Sequence, residues 1–315
     1  MKTKALFAIV SFLAVPVLAF GQAAAQQEQR PVPDRPTSVT AIPGVIAAGT
    51  KVERIWTGNM SADGVIGEPN GNLLLVEPKA HRVSRMTPDG KITLWLEDTN
   101  ETGAMAIDAK GRYISAERLA PRVRELYPQR RILADTFEGK PLGRISDIVA
   151  DRKGGVYITE QPNSVNYLNP QGQLIRVGPD IRGANGIMLS PDERTLYVTN
   201  TEAGILAFDV QPDGSLRNSR PFAKPEGGQD GLAIDAAGRL YIASDTGVQV
   251  YSPLGQHLGL IPAPRHLTSL GFVGPDKKTL YFIASGHDGP RGGEADARSL
   301  YRIPMITEGF KGRAK

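Results

Sequence analysis

Residues 230–261 read DGLAIDAAGRLYIASDTGVQVYSPLGQHLGLI and contain four short runs rich in apolar residues. The runs lie at 231–235, 239–244, 248–251 and 257–261. A glycine or a proline stands in each of the three intervening turns. Short β-branched and aromatic runs punctuated in this way are hairpin signals, so the stretch predicts four consecutive antiparallel strands.

The same unit recurs six times along the chain. The copies begin at Asp63, Gly103, Ser146, Asn185, Asp230 and Ser269, at steps of 40, 43, 39, 45 and 39 residues. A period of about 40 residues with four short strands per copy is typical of one blade of a β-propeller. The sequence therefore predicts an all-β, six-bladed β-propeller with four-stranded blades over residues 51–305.

The sixth copy is one strand short. It supplies only Ser269–Val273, Thr279–Ala284 and Leu300–Ile303. The segment Val52–Thr57, ahead of the first copy, is predicted to add the fourth strand. An N-terminal strand in the last blade would close the ring and protect an otherwise exposed sheet edge.

The two ends of the chain have their own patterns. Residues 1–25 combine a positively charged start, an apolar run over 5–20 and three alanines at 23–25, which is the pattern of a secretory signal peptide. We expect an exported protein, periplasmic or secreted, with no membrane association after cleavage. Residues 26–50 contain four prolines and predict a flexible lead, and residues 306–315 predict a C-terminal tail.

Composition excludes several classes of function. The chain has no cysteine, so disulfides, a thiol nucleophile and a cysteine-based zinc site are all absent. Its net charge of +4 is modest, and no basic stripe is interleaved with aromatics, so we expect no nucleic-acid partner. Neither the Gly-x-Ser-x-Gly elbow nor the His-Glu-x-x-His zinc motif occurs. A monomer is expected.

The heads of the six copies are candidates for a functional site. The first strand of every propeller blade lines the central channel, so the six heads are predicted to form a ring at one mouth. Asp63, Asn185 and Asp230 would bring two carboxylates and an amide to that ring, which suits a divalent cation. Calcium is favoured, with magnesium, manganese or zinc as alternatives. The loops after the second strands add further carboxylates around the ring, among them Glu77, Glu117 and Glu160.

A structural explanation competes with this interpretation. Asp-Gly and Asn-Gly pairs are common turn formers, so Asp63-Gly64, Asn185-Gly186 and Asp230-Gly231 could serve the backbone alone. Against it, the three pairs occupy equivalent places in their copies, each at the head of a strand on the predicted channel wall.

Three stretches resemble the gluconolactonase/regucalcin-like family. Residues 184–192 read ANGIMLSPD, followed by TLYV at 195–198, and residues 229–241 read QDGLAIDAAGRLY. Residues 269–274 (SLGFVG) with TLY at 279–281 resemble the last blade of that family. The resemblance covers all six copies, over about residues 52–304. It implies a six-bladed propeller that binds one divalent metal in its channel and, in many members, opens lactones.

The resemblance also implies roles for particular residues. Asp63, Asn185 and Asp230 would be the metal ligands, and Asp230 would also be the catalytic general base. Arg144 and Glu160 match residues on the substrate side of the family's site.

Two of the ring residues depart from the family pattern. The first blade begins with Asp63 where the family usually has glutamate, and the third with Ser146 where it has asparagine. A neutral hydroxyl is a weaker ligand and would leave one coordination position to water, so we place Ser146 with the substrate-binding residues.

The implied activity is metal-dependent hydrolysis of a small-molecule lactone to a hydroxy acid. The alternative is a non-catalytic exported propeller that binds a sugar, peptide or protein at the channel mouth, because a fold does not determine a function. Residues 285–298, rich in glycine and charged residues, are predicted to form a loop that could cover either kind of site.

Overall fold

A computed structural model describes residues 34–58, 62–178, 180–285 and 298–313. In that part of the chain the strands form six four-stranded antiparallel sheets and one two-stranded hairpin, so the predicted six-bladed β-propeller is confirmed. The signal peptide predicted over residues 1–25 lies outside the described residues. No helix of the described part is both long and apolar enough to span a lipid bilayer.

The strands are numbered in chain order, and each blade is given from the channel outward. Blade one comprises β2 (Gly64–Gly67), β3 (Leu73–Glu77), β4 (Arg82–Met86) and β5 (Ile92–Glu97). Blade two comprises β6 (Thr102–Ile107), β7 (Tyr113–Glu117), β8 (Arg122–Tyr127) and β9 (Arg131–Ala134). Blade three comprises β12 (Ile145–Ala150), β13 (Val156–Glu160), β14 (Ser164–Leu168) and β15 (Leu174–Gly178). A 3-10 turn (Pro78–Ala80) follows β3, and the hairpin of β10 (Thr136–Phe137) and β11 (Lys140–Pro141) precedes blade three.

The other three blades follow the same plan. Blade four comprises β16 (Ile187–Leu189), β17 (Thr195–Asn200), β18 (Gly204–Val210) and β19 (Leu216–Ala223). Blade five comprises β20 (Leu232–Ile234), β21 (Leu240–Ala243), β22 (Gly247–Tyr251) and β23 (His257–Pro262). Blade six comprises β24 (Leu267–Val273), β25 (Thr279–Ala284), β26 (Arg298–Pro304) and β1 (Glu53–Gly58).

Blade six takes its outer strand from the start of the propeller sequence. β1 pairs antiparallel with β26, which gives the order β1-β26-β25-β24. The inner strands of neighbouring blades contact one another around the channel, and β24 of blade six contacts β2 of blade one. The first and last blades are therefore packed side by side.

Glycines that follow the ring residues allow the inner strands to pack closely around the channel. A Cβ atom on Gly186 would lie 2.1 Å from the backbone oxygen of Asp230, and one on Gly231 would lie 3.0 Å from the backbone oxygen of Thr268. A side chain at position 186 would collide with the next blade, and one at position 231 would be tightly packed against it. In Asn185-Gly186 and Asp230-Gly231 the glycine thus serves packing, and the preceding residue carries a polar side chain.

Buried apolar side chains fill the spaces between the blades. One cluster joins blades three, four and five, and within it the rings of Tyr157 and Tyr167 stack with centroids 4.4 Å apart. Comparable clusters lie between the other neighbouring blades. In a chain without disulfides, this packing between blades supplies the main favourable free energy of folding.

The part of the expected flexible lead that the structure describes, residues 34–50, is packed. Val39, Ile42, Val45 and Ile46 are buried in the cluster formed by blades five and six. Arg35 donates hydrogen bonds to the backbone oxygens of Pro264, at 3.2 Å, and Asp245, at 2.7 Å. The prediction of a flexible lead rested on its proline content and did not take account of these four apolar residues, which are buried together.

Residues 306–313, here called the terminal segment, cross the channel end opposite the ring of copy heads. Gly309 forms an isolated β-bridge with Asp235, and the Phe310 amide donates to the Ile234 oxygen at 3.2 Å. Arg313 donates to the backbone oxygens of Ala150, at 3.1 Å, and Leu189, at 2.9 Å. The predicted C-terminal tail is therefore, as far as residue 313, a strap across three blades.

Lys277 is buried under the terminal segment and gives an expected pH dependence of stability. Burial, and then the nearby Arg313, lower the pKa of Lys277 from 10.5 to about 8. Between these two values the folded chain binds fewer protons than the unfolded chain, so we expect the free energy of unfolding to rise with pH from about 8 to about 10.5. Urea unfolding across this window measures the slope. The slope should be reduced in Lys277→Met, and equal slopes in both proteins would contradict the assignment.

Candidate functional site

The heads of the six copies line one small cavity at the beginning of the inner strands. Its volume is about 30 Å³, and the six residues are Asp63, Gly103, Ser146, Asn185, Asp230 and Ser269. Apolar side chains such as Val65, Met105 and Leu232 form the remaining wall. A cavity of this size has room for about two waters, or for a cation with a water. The ring predicted from the repeat is thus brought together in one place.

Asn185 and Asp230 form the most firmly positioned polar pair of the cavity. The Asn185 Nδ2 group donates to Asp230 Oδ1 at 2.7 Å. The Thr159 hydroxyl of blade three in turn donates to the backbone oxygen of Asn185 at 2.6 Å. Blades three, four and five therefore cooperate to fix the orientation of the Asp230 carboxylate.

Ser146 brings an unsatisfied oxygen to the same cavity. Its side chain is only 3 % exposed, and its Oγ atom has no hydrogen-bond partner within the described residues. Buried hydroxyls are nearly always hydrogen-bonded, so such an atom indicates a missing water, ion or substrate group. Ser146 thus faces the space in which a ligand would lie.

Arg118, which the sequence did not single out, occupies the other side of the cavity. It lies in the loop between β7 and β8 and is 14 % exposed. Its Nη1 group donates to Asp63 Oδ2 at 2.5 Å, and its Nη2 group donates to the backbone oxygen of Ser146 at 3.3 Å. Burial alone would lower the pKa of Arg118, but the charges of Asp63, Asp230 and Asp147 outweigh burial and raise it.

Gly103 provides the space for this guanidinium. A Cβ atom at position 103 would lie 2.0 Å from Cζ of Arg118 and 2.1 Å from its Nε. Gly103 is the one ring residue without a side chain, because the other five are aspartate, serine or asparagine. The missing side chain sets position 103 apart from the rest of the ring, but nothing in the sequence connects that position with Arg118.

The carboxylate of Asp147, next to Ser146, accepts hydrogen bonds from backbone amides. Its Oδ1 accepts a hydrogen bond from the Ile148 amide at 2.8 Å, and its Oδ2 accepts one from the Ile187 amide at 3.0 Å. The second bond crosses from blade three to blade four. Asp147 therefore joins the two inner strands and contributes negative charge beneath Arg118.

The two residues predicted on the substrate side differ in their surroundings. Arg144 is exposed at the mouth, where its Nη1 donates to Gln161 Oε1 at 3.3 Å. Desolvation and the neighbouring Arg118 lower the pKa of Arg144, while Asp63 and Asp230 act in the opposite direction, so this side chain is electrostatically part of the site. Its role in binding a substrate stays a prediction.

Glu160 is held within blade three. Its Oε1 accepts from the Gly143 amide at 2.6 Å, and its Oε2 accepts from Asn166 Nδ2 at 2.6 Å and Arg176 Nη2 at 2.7 Å. Burial would raise the pKa of Glu160, but these donors more than compensate and lower it. The carboxylate does not line the cavity, and its substrate role stays a prediction.

The other carboxylates expected around the ring are arranged like Glu160. Glu77 accepts from Arg82 at 2.8 Å and from the Ser84 hydroxyl at 2.7 Å, and Glu117 pairs with Arg122 at 2.5 Å. Each stands at the end of the second strand of its blade and pairs with the third strand. These carboxylates support the mouth of the channel structurally and do not enter the cavity.

The residues of the cavity fit a hard cation in part. The Asp230 carboxylate, the Asn185 amide and the unsatisfied Ser146 hydroxyl offer oxygen donors of the kind that calcium prefers. Asp63, which was expected to be a metal ligand together with Asn185 and Asp230, is paired with Arg118. In the described part of the chain, no three side chains of His, Cys, Asp or Glu form a metal-binding group by themselves. A cation here would depend on the neutral oxygens as well as on Asp230. Residues 286–297, most of the predicted cover loop, lie outside the described residues.

Known proteins that resemble this chain are lactonases and calcium-binding propellers. A gluconolactonase of Zymomonas mobilis is 26% identical over 287 residues, which cover 76% of this chain and 81% of the relative. The solved structure of a gluconolactonase from Xanthomonas campestris superposes with a TM-score of 0.73 at 27% identity, covering 87% of this chain and 97% of that one. Regucalcin from Agrobacterium tumefaciens, described as a calcium-binding protein, shares the fold with a TM-score of 0.67 at 18% identity, over 81% of this chain and 95% of that one.

The family assignment follows from the match to a family model. The model of the SMP-30/Gluconolactonase/LRE-like region matches residues 61–286, which contain all six ring residues. The lactonase relatives support a lactonase function. On the match over these residues and the shared propeller fold, the chain belongs to the SMP-30/gluconolactonase/LRE-like family.

Proposed function

We propose that this chain is an exported, metal-dependent lactonase that opens a sugar-type lactone at the ring end of its channel. The observation that carries the proposal is the cavity lined by Asp230, which Asn185 holds by a hydrogen bond, and by Ser146, whose buried hydroxyl has no hydrogen-bond partner in the described residues. Gluconolactonases among the relatives support a polyhydroxylated lactone as the substrate. Export rests on the signal-peptide pattern of residues 1–25.

Asp63, Asn185 and Asp230 would hold the divalent cation, as the sequence predicts, with Asp63 available once it is released from Arg118. The Ser146 hydroxyl, expected on the substrate side, would be an additional oxygen donor. Calcium is the favoured ion because all of these donors are oxygens. When bound, the cation would polarise the lactone carbonyl and stabilise the negative charge that develops on its oxygen.

The chain's own groups would carry the proton and hold the substrate. Asp230 is the general base, which takes a proton from the attacking water at its carboxylate. The Asn185 hydrogen bond at 2.7 Å keeps that carboxylate in one orientation. Arg144, exposed at the mouth, can hold a substrate hydroxyl through its planar guanidinium. That proton passes to the ring oxygen that leaves, so the product is a hydroxy acid, and its carboxyl group ionises at neutral pH to release the proton that is measured.

Proton release from a panel of lactones tests the proposal. We expect turnover of a sugar lactone that is lost after chelation and restored by calcium, because the polarising charge is removed and then returned. Lactone opening that is insensitive to chelation would contradict the metal dependence but not the hydrolase activity. Binding of a sugar or peptide without any turnover would favour the non-catalytic propeller instead.

A further inference from the structure

The charges at the cavity are already partly balanced without a bound ion. Asp63, Asp147 and Asp230 line the cavity together with Arg118, and Arg144 lies close enough for its pKa to respond to the same groups. Three carboxylates and two guanidiniums leave a formal charge of about −1 in this region. A positively charged side chain thus occupies a site whose oxygen donors suit a cation.

The guanidinium is built into the fold. Gly103 leaves a space that any Cβ atom would fill, and Arg118 lies in that space at 2.0 Å from the ideal Cβ position. It is held at two points by Asp63 and the backbone oxygen of Ser146. Its Nε group is buried and has no hydrogen-bond partner in the described part of the chain. The incomplete set of partners is consistent with a side chain that can leave its position.

We propose that Arg118 is a resident cation that competes with the divalent ion for Asp63, so that Arg118 and Gly103 together set the metal affinity of the site. This inference rests on the proposed cation site and extends it to a residue outside the ring. Coordination through both oxygens of Asp63 would require Oδ2 to lose the bond to Arg118. Coordination through Oδ1 alone would still bring the ion close to the positive guanidinium. With the guanidinium in place, the ion would find one carboxylate engaged and a like charge beside it.

Two variants remove the competitor in different ways. Arg118→Met deletes the charge but keeps most of the side chain's length. Gly103→Ala keeps the charge and fills the space beneath it. The three atoms nearest to its methyl group would all belong to the guanidinium end of Arg118, and position 103 lies in a strand without positive φ. The flexible end of Arg118 can therefore move away from the methyl group. The matched control is Arg182→Met, which removes an exposed guanidinium paired with Glu202 and outside the cavity.

Calcium titration by isothermal calorimetry, on chelator-treated full-length protein, tests the inference. We expect Arg118→Met and Gly103→Ala each to bind calcium roughly 10- to 100-fold more tightly than the unchanged chain, because a charge-assisted hydrogen bond no longer has to be broken. Arg182→Met should bind as the unchanged chain does. Thermal melting curves without calcium establish that each variant is folded.

The outcomes separate this inference from the proposed function. Unchanged or weaker calcium binding in both folded variants would overturn the competition, even if the unchanged chain opens lactones. An equal increase in the calcium affinity of Arg182→Met would also overturn it, because the increase would then result from removing any positive charge near the channel mouth. Tighter binding in both cavity variants alone would support it, whether or not any lactone is hydrolysed.

Discussion

Replacing Asp230 with asparagine is expected to lower kcat for lactone hydrolysis by roughly 10²- to 10⁴-fold, the usual contribution of a positioned general base. The amide has the same shape as the carboxylate and can still accept the hydrogen bond from Asn185, so the fold and the cavity should be kept. It cannot accept a proton from water, and it also removes one negative charge from the proposed cation site. Initial rates on the best lactone of the panel, measured at saturating calcium, give the change.

The control for this variant is Asp213→Asn. Asp213 lies exposed in the turn between β18 and β19, where its Oδ1 accepts from the Ser215 amide at 2.9 Å, a bond that asparagine can also make. The same chemical change away from the cavity should leave the rate within twofold, roughly the scatter of neutral surface substitutions. If Asp230→Asn retained more than a tenth of the activity, the general base would be a different group.

Much of the fold could be predicted from the sequence because every blade packs against its neighbours in the same way. The Gly-rich turns recur at a period of about 40 residues, and the glycines of Asn185-Gly186 and Asp230-Gly231 are demanded by the approach of the next inner strand. The ring residues before these glycines then had to share one mouth, and the structure places all six around one cavity. Their functional roles remain predictions.

Features that depend on partners distant in sequence were not readable. Arg118 reaches Asp63 across 55 positions, and nothing in its own neighbourhood distinguishes it from other loop arginines. The hydrogen bonds that Glu160 accepts from Gly143, Asn166 and Arg176 likewise could not be predicted from the sequence, and its role toward a substrate stays a prediction. The repeat thus predicted which polar residues come together at the channel mouth, whereas the pairing of the charged side chains could be seen only in the three-dimensional structure.

Removal of the Arg313 side chain is expected to reduce the free energy of unfolding by about 3 kcal/mol, because it breaks a buried ion pair and leaves backbone acceptors unsatisfied. The guanidinium is 4 % exposed, donates to Ala150 and Leu189, and pairs with Glu193 at 2.8 Å. Urea unfolding of Arg313→Ala measures the loss. Arg220→Ala, which breaks the more exposed pair with Asp209, should cost less than about 1 kcal/mol. Equal, small losses in both would mean that the terminal segment does not fasten the blades together. A large loss of unfolding free energy in Arg313→Ala alone would show that the terminal segment, which lies far from the ring residues, holds the blades of the propeller together. The chain has no disulfide that could serve this purpose.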